Sequence, residues 1–146
     1  MRDGLASRLG AMRFRLYGLA RLAEALVRQG EYGAALAATI EGRKAQEGTG
    51  HRQWEAELRR IEGVALVGLN RLDEGQNALT KALRVARRQQ AKSYELRAAT
   101  SLGRLWGEGG RRAEACDLLA PIYNWFTEGF DTADLKEAKG LLDELT

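Results

Sequence analysis

Three residue types are scarce in this chain of 146 residues, which has one cysteine, one histidine and one proline. One cysteine excludes an intramolecular disulfide, and one cysteine with one histidine does not make the usual ligand set of a zinc site, so we expect no metal and no cofactor. Scarce proline, with abundant Ala, Leu, Arg and Glu, favours an all-helical protein. No apolar run approaches the length of a membrane span, and the N-terminus lacks a secretory-signal pattern, so we expect a cytoplasmic protein.

Charge is plentiful but unevenly distributed. The chain has a formal net charge of +3, with 45% hydrophobic and 29% charged residues, as in a globular protein. Residues 125–146 contain two lysines against six acidic residues, a balance of −4, so residues 1–124 carry +7. This excess attracts an acidic partner weakly, and the alternative interpretation is a set of solvated, arginine-rich helix surfaces.

The sequence repeats with a period of 40 residues, because five sets of positions agree in size at that spacing. The sets are the turn residues Gly30, Asn70 and Gly110; the aromatic residues Phe14, Trp54 and Tyr94; the small residues Ala23, Gly63 and Gly103; the large residues Leu26, Leu66 and Trp106; and a second small set of Ala35, Gly75 and Ala115. This agreement indicates three copies of one structural unit, over residues 11–50, 51–90 and 91–130.

Each unit has the pattern of two helices. Apolar residues three and four positions apart, such as Leu19, Leu22 and Leu26, predict the first helix, and a left-handed residue such as Gly30 ends it. A second helix and another break follow. The predicted helices span residues 11–28, 32–47, 52–69, 72–90, 92–108, 111–127 and 132–145.

The last predicted helix, within residues 131–146, has the pattern of a capping helix. Asp131 or Thr132 is placed to cap its N-terminus, and its leucines form one stripe toward the third unit. Its acidic residues are expected to face solvent; they are Asp134, Glu137, Asp143 and Glu144.

The small residues within the helices have a physical explanation. Glycine inside a helix costs about 1 kcal/mol relative to alanine, so Gly63 and Gly75 require a compensating role. Close crossing of two helices provides it, because a missing side chain lets the backbones approach. The same alignment predicts that Trp106 is buried.

These residues resemble the tetratricopeptide repeat (TPR) motif. The third unit matches it best, in Leu102, Gly103, Trp106, Gly110, Ala115 and Leu119. The second unit departs from the motif at Glu62 and Gly75, the terminal proline of the motif is absent, and the period is 40 residues instead of 34, as in the long-helix variants of LuxR-type maltose-regulator-like proteins. The resemblance implies an all-α, TPR-like solenoid of three hairpins with a C-terminal capping helix, in one domain over residues 1–146.

The second half has a closer resemblance. The segments 95–102, 111–115, 118–123, 125–132 and 134–139 resemble the C-terminal repeat region of large bacterial, rhizobial-type proteins similar to adenylate or guanylate cyclases, ATPases or regulators. This similarity covers residues 54–146, and residues 10–53 more loosely. It implies a sensory or regulatory tail and not a catalytic part.

The motifs of catalysis are missing from the sequence. A cyclase needs paired carboxylates that hold two metal ions on a mixed sheet, and no strand pattern is present. The glycine-rich segment 107–112 lacks the Lys-Ser/Thr of a P-loop and follows a helix, which indicates a helix terminator. Cys116 is interpreted as a small packed thiol, with a reactive thiol as the alternative, and His51 as a solvated side chain. We expect no enzyme activity.

A cluster of cations at residues 84–92 raises the question of nucleic-acid binding. It consists of Arg84, Arg87, Arg88 and Lys92. The cluster lies at the end of a predicted helix, where cations complement the helix dipole, and no recognition motif accompanies it. We expect no nucleic-acid partner and no membrane partner.

The expected function is non-catalytic protein–protein interaction or regulatory scaffolding in bacterial signalling. In such a solenoid the first helix of each hairpin lines the concave side. TPR spacing assigns eight candidate partner-binding residues to that side: Tyr17, Glu24, Glu57, Arg60, Val64, Arg97, Thr100 and Arg104. Arg60, Arg97 and Arg104 are candidates for binding carboxylates of a protein or peptide, and a solvated groove without a ligand is the alternative. A second hypothesis is a regulatory C-terminal fragment of an adenylate cyclase or ATPase whose catalytic domains lie outside this chain.

The N-terminal end is expected to be less well covered than the C-terminal end. The 40-residue offset places residues 1–9 at the tail of a preceding second helix, so the first full helix lacks an apolar neighbour. The residues expected to be exposed are Leu5, Leu9, Met12, Leu16 and Leu19. Burial of apolar surface returns roughly 25 cal/mol per Å², so we expect a two-fold homodimer through the N-terminal helix, with a monomer as the alternative.

Overall fold

A computed structural model describes the backbone of residues 2–50 and 52–146, and the side chains of residue 8, residues 10–50 and residues 52–146. Within this part of the chain there are seven α-helices and no β-strand, and the helices comprise 81% of the residues. They are α1 (Arg2–Arg28), α2 (Tyr32–Glu47), α3 (Glu55–Gly68), α4 (Leu72–Arg88), α5 (Lys92–Glu108), α6 (Arg112–Trp125) and α7 (Ala133–Leu145). The prediction of an all-helical chain is confirmed. None of the helices described is both long enough and apolar enough to cross a bilayer.

Helix α1 is longer than the sequence predicts. The prediction of a separate helix tail over residues 1–9 is wrong, because one helix runs without a break from Arg2 to Arg28. Gly4, Gly10 and Gly18 lie inside this helix and face open space. None of these three glycines has the positive φ that ends the later helices, so none of them terminates α1.

The exposed side of α1 also differs from the prediction. Leu16, expected on the surface, is fully buried, since it lies on the same side of the helix as buried Ala20 and Ala23. Met12 and Leu19 are half-buried. The side chains of Leu5 and Leu9 lie outside the described residues.

Four helices end in the same type of turn. Gly30, Asn70, Gln90 and Gly110 have positive φ angles of 77°, 63°, 55° and 85°. At each turn the following N–H donates to the carbonyl five residues earlier, with N–O distances of 2.8 to 2.9 Å. This is the Schellman motif, which satisfies carbonyls that the end of a helix leaves without partners. The spacing in the sequence predicts three of these turns, at Gly30, Asn70 and Gly110, but it does not predict the turn at Gln90.

The helices pack mainly against their neighbours in the chain. Each helix contacts the next one, and α1 also contacts α3, α3 contacts α5, and α5 contacts α7. Over the described residues, α2, α4 and α6 make no comparable contacts with one another. The odd-numbered helices therefore lie side by side, and we call their shared surface, on which Glu24, Arg60 and Arg104 lie, the inner face.

The main hydrophobic core lies between α4, α5, α6 and α7. Its largest buried side chains include Leu79, Leu96, Leu102 and Leu119. Trp106 is only half-buried at the edge of this core, so the prediction of its burial is wrong. Its indole N–H donates to Gln76 at 3.3 Å and the guanidinium of Arg111 lies 4.4 Å from its ring centroid, so polar groups cover this part of the ring.

The two glycines expected at a close helix crossing are both buried. A Cβ added to Gly63 would lie 2.6 Å from Cγ of Leu79, and one added to Gly75 would lie 2.6 Å from Cγ2 of Val67. Each added Cβ would also lie 3.0 Å from the backbone oxygen of the other glycine. The packing role of these glycines is confirmed. Because they have no side chain, α3 and α4 approach closely behind the inner face.

Candidate functional site

An open groove with a volume of about 240 Å³ lies on the inner face. Side chains from α1, α3, α5 and α7 line it, together with one leucine of α4. The lining residues are Glu24, Val27, Arg28, Arg60, Ile61, Val64, Val67, Leu79, Ser101, Arg104, Leu105, Glu108 and Glu137. The groove thus depends on the side-by-side arrangement of the odd-numbered helices.

The floor of the groove is apolar. Val64 and Val67 are three positions apart on α3 and therefore share one side of that helix, and Val27 and Leu105 contribute from α1 and α5. These four side chains are half-buried, above the almost fully buried Ile61. Apolar surface that is left half-open releases free energy when an apolar group covers it.

Five charged side chains from all four odd-numbered helices form one network beside the groove. Glu24 of α1 accepts hydrogen bonds from Arg60 of α3 at 3.3 Å and from Arg97 of α5 at 2.7 Å. Glu57 of α3 accepts a hydrogen bond from Arg60 at 2.9 Å and pairs with Arg97 at 3.1 Å. Nε of Arg97 also lies 3.5 Å from Asp134 of α7. We call these five residues the inner-face network.

The centre of the network is shielded from water. The side chains of Glu57 and Arg60 are 4% and 12% exposed. Burial alone would lower the pKa of Arg60, but the charge of Glu57 and its hydrogen bond outweigh burial and raise the pKa above the ordinary value. These charges are therefore held by one another, which favours a fixed arrangement of the helices that carry them.

The pKa values of the two outer carboxylates of the network shift in opposite directions. Burial alone would raise the pKa of Glu24, but the charges of Arg97 and Arg60 lower it below the ordinary value. Partial burial raises the pKa of Asp134, and the attraction of Arg97 offsets only part of this effect. The charged form of Glu24 is therefore stabilised, and the charged form of Asp134 is less favoured than that of an ordinary aspartate.

We expect the variant Glu24→Gln to lose more stability at neutral pH than in acid. The lowered pKa of Glu24 gives a stabilisation that is complete above its unfolded value of 4.5 and is lost as the pH falls through the folded value. Asp134 has a raised pKa and contributes in the opposite sense, but it is present in both proteins. Urea unfolding of both proteins at pH of about 7 and about 3.5 measures the difference.

Glu41→Gln is the matched control for this measurement, because Glu41 also pairs with an arginine of another element, Arg15, but is 55% exposed. We expect this change to have little effect at either pH. A deficit of Glu24→Gln that is the same at both pH values would contradict the prediction.

The structure brings six of the eight predicted partner-binding residues to the groove or the network. Glu24, Glu57, Arg60 and Arg97 belong to the network, Val64 lies on the floor, and Arg104 lies on the rim, 3.4 Å from Glu137. Tyr17 lies apart from the groove lining, exposed, with its ring edge-on to Trp54 at 5.5 Å between centroids.

Two of the predicted residues are not exposed, and this corrects the expectation. Glu57 and Thr100 are each 4% exposed, so a partner does not reach them on this surface. The hydroxyl of Thr100 donates to the carbonyl of Leu96 at 2.8 Å, one turn earlier, and this bond allows its burial. Arg60 and Arg97 are already paired with carboxylates of this chain.

Sequence reasoning missed the contribution of α7. Asp134, expected to face solvent, has a side chain that is 41% exposed and lies 3.5 Å from Nε of Arg97, so that expectation holds only in part, whereas Glu137 is exposed on the rim. A signal was present: Arg97 and Arg104 are two turns apart on α5, and Asp134 and Glu137 are three positions apart on α7, so each pair shares one side of its helix.

The remaining candidates for chemistry lie outside the groove. Cys116 is a free, half-buried cysteine, and His51 lies outside the described residues. In the described part of the chain, no group of three or more His, Cys, Asp or Glu residues is arranged to hold a metal ion.

Comparisons with known proteins add no relative to this description. No protein-family model matches the chain, and no curated protein is significantly similar to it. The groove and the inner-face network are therefore the features that bear on function.

Proposed function

We propose that the chain is a TPR-like helical-repeat domain of three hairpins and a capping helix, α7, and that it acts in the cytoplasm as a non-catalytic protein-interaction or regulatory scaffold. The left-handed turns at Gly30, Asn70 and Gly110 and the side-by-side odd-numbered helices support the architecture. The groove on the inner face carries the functional part, because an apolar centre with a charged rim is the usual composition of a protein interface.

The dimensions of the groove favour a side chain of a protein partner. Its volume of about 240 Å³ is below the 300–1,000 Å³ that is typical of small-molecule pockets. An apolar side chain over Val64 and Leu105 covers the half-open floor. Arg28 and Arg104, 78% and 41% exposed, are the rim arginines that reach polar or acidic groups on either side of it.

Selection from a random displayed peptide library on the purified chain tests this proposal. We expect the enriched peptides to share an apolar residue with acidic neighbours. Their affinity for Val64→Arg is expected to be at least tenfold weaker, because a cation then occupies the apolar floor. Affinities are measured by fluorescence anisotropy, after circular dichroism and thermal unfolding have shown that the variant is folded.

Two further variants complete the experiment. Leu72→Arg is the matched control, because Leu72 is 48% exposed and lies outside the groove, so peptide affinity is expected to be unchanged. Arg104→Glu is expected to weaken binding of the acidic peptides without altering the floor. Failure to enrich any peptide, or equal affinity for the chain and for folded Val64→Arg, would contradict the proposal.

A further inference from the structure

Helix α1 has an apolar strip on the side opposite its buried residues. Phe14 and Leu22 are 78% and 51% exposed, and Gly18 lies between them with open space around it. These three residues are spaced four positions apart and therefore form one line along the helix. An aromatic and a leucine side chain left this open are the elements of an interaction surface.

Arg21 lies beside Phe14 on this helix, and Arg13 lies further round it, on the side of Tyr17. Arg13 and Arg21 are exposed, and neither has an ion-pair partner among the described residues. Arg21 instead lies 5.9 Å from the ring centroid of Tyr17. We call Phe14, Leu22, Arg13 and Arg21 the α1 surface.

The segment that connects α6 and α7 is acidic, whereas the α1 surface is basic. Like the α1 surface, it exposes large apolar side chains. Trp125, the last residue of α6, and Phe130 of the connection are 57% and 45% exposed, and Nζ of Lys92 lies 5.1 Å from the ring centroid of Trp125. Glu128 and Asp131 lie in the same connection, are exposed, and have no ion-pair partner among the residues that the structure describes. We call these four residues the α6–α7 surface.

We propose that the chain self-associates head to tail, with the α1 surface of one copy packed on the α6–α7 surface of the next. Exposed aromatic side chains meet apolar ones in this arrangement, and Arg13 and Arg21 lie across the contact from Glu128 and Asp131. The charge balance of the segments agrees with it, because residues 1–124 carry +7 and residues 125–146 carry −4.

A two-fold contact through the α1 surface brings like charges together. The arginines of both copies then lie across one interface, and neither copy contributes Glu128 or Asp131, which is unfavourable. Helix α1 packs on α2 and α3, whereas α7 packs on α5 and α6, so the two proposed surfaces belong to different ends of the helix order. A head-to-tail pair leaves one α1 surface and one α6–α7 surface free, so association continues beyond a dimer, into a closed ring or an open filament.

Sedimentation of the full chain and of two variants tests this proposal. For the unaltered chain we expect a mass average that rises beyond that of a dimer with concentration and falls with added salt, because salt screens the opposite charges. Phe14→Glu removes the apolar centre of the α1 surface, and the double variant Glu128→Arg/Asp131→Arg reverses the α6–α7 surface. Each variant alone is expected to be monomeric, since each has lost one of the two surfaces that must meet.

In an equimolar mixture of the two variants we expect a heterodimer, with twice the mass of the monomer, and no larger species. The intact α6–α7 surface of Phe14→Glu binds the intact α1 surface of the double variant, and the remaining surfaces do not bind further copies. The substituted side chains are exposed, and circular dichroism shows whether each variant is folded. Leu72→Glu, at an exposed leucine outside both surfaces, is the control and is expected to associate like the unaltered chain.

Three results overturn the proposal. A double variant that still dimerises alone while Phe14→Glu is monomeric shows a two-fold contact through α1. A mixture of folded variants that stays monomeric shows that the two surfaces do not bind each other. An unaltered chain that is monomeric at every concentration shows that neither surface mediates self-association.

Discussion

The variant Arg60→Met is expected to lose about 3 kcal/mol of unfolding free energy, the low end of the effect of removing one partner from a buried ion pair. Methionine keeps much of the bulk of arginine but removes the charge. Glu57, 4% exposed, then keeps Arg97 at 3.1 Å as its remaining cation, and Glu24 loses one of its three arginine partners. Most of the loss comes from leaving carboxylates buried without sufficient positive charge. Urea unfolding at neutral pH measures it.

A double variant separates this charge effect from a loss of packing. Adding Glu57→Gln to Arg60→Met removes the buried carboxylate together with its partner, so we expect a large part of the stability to return. The control is Arg71→Met, which breaks the ion pair of Arg71 with Glu74. These two side chains are 47% and 58% exposed, so we expect the change to cost less than about 1 kcal/mol of unfolding free energy. Equal losses for Arg60→Met and Arg71→Met would refute the role assigned to the network.

The second large effect is expected at Gly75, where alanine destabilises the chain although alanine is the better helix former. The added Cβ meets Cγ2 of Val67 at 2.6 Å and the backbone oxygen of Gly63 at 3.0 Å. The oxygen belongs to helix α3 and does not move without it, so α3 and α4 must separate. Overpacking of this kind costs about 1–3 kcal/mol, against a gain of about 1 kcal/mol from helix propensity.

Gly103→Ala is the matched control, because Gly103 is also a buried glycine in the interior of a helix. The nearest atom to its added Cβ is Cδ2 of Leu141 at 3.6 Å, an ordinary contact distance. Helix propensity then acts alone, and we expect a gain approaching 1 kcal/mol. The two variants are compared by urea or thermal unfolding, and a change of the same sign in both would contradict the assigned difference in packing.

The helices were predictable because their signals are local. Spacing of apolar residues and the turn glycines place six of the seven helices within three residues of their observed bounds. The start of α1 was not predictable in this way, because the 40-residue offset supposes a break near residue 10, whereas Gly10 lies within a continuous helix and lacks a positive φ. The same supposition led to the wrong assignment of Leu16 to the surface.

The site was predictable as a set of positions but not as an arrangement. Spacing within a helix shows which residues share a side, and it assigned Glu24, Arg60 and Arg97 to one surface. It does not show which sides of different helices meet, and Glu24 and Arg97 are 73 residues apart in the chain. The pairing of these residues with one another, and the participation of Asp134, depend on the packing of four helices.

The restriction of packing to the next helix and the next but one has a consequence for the order of folding. Contacts of this kind close short loops, which gives a low contact order and favours rapid folding. Opening of α1 breaks its packing with α2 and α3 and leaves the packing of α5, α6 and α7 intact, so unfolding proceeds by graded local steps. The ion pairs of Arg97 with Glu24 and with Asp134 oppose such independent opening, because they connect the first and the last helix to the same side chain of α5.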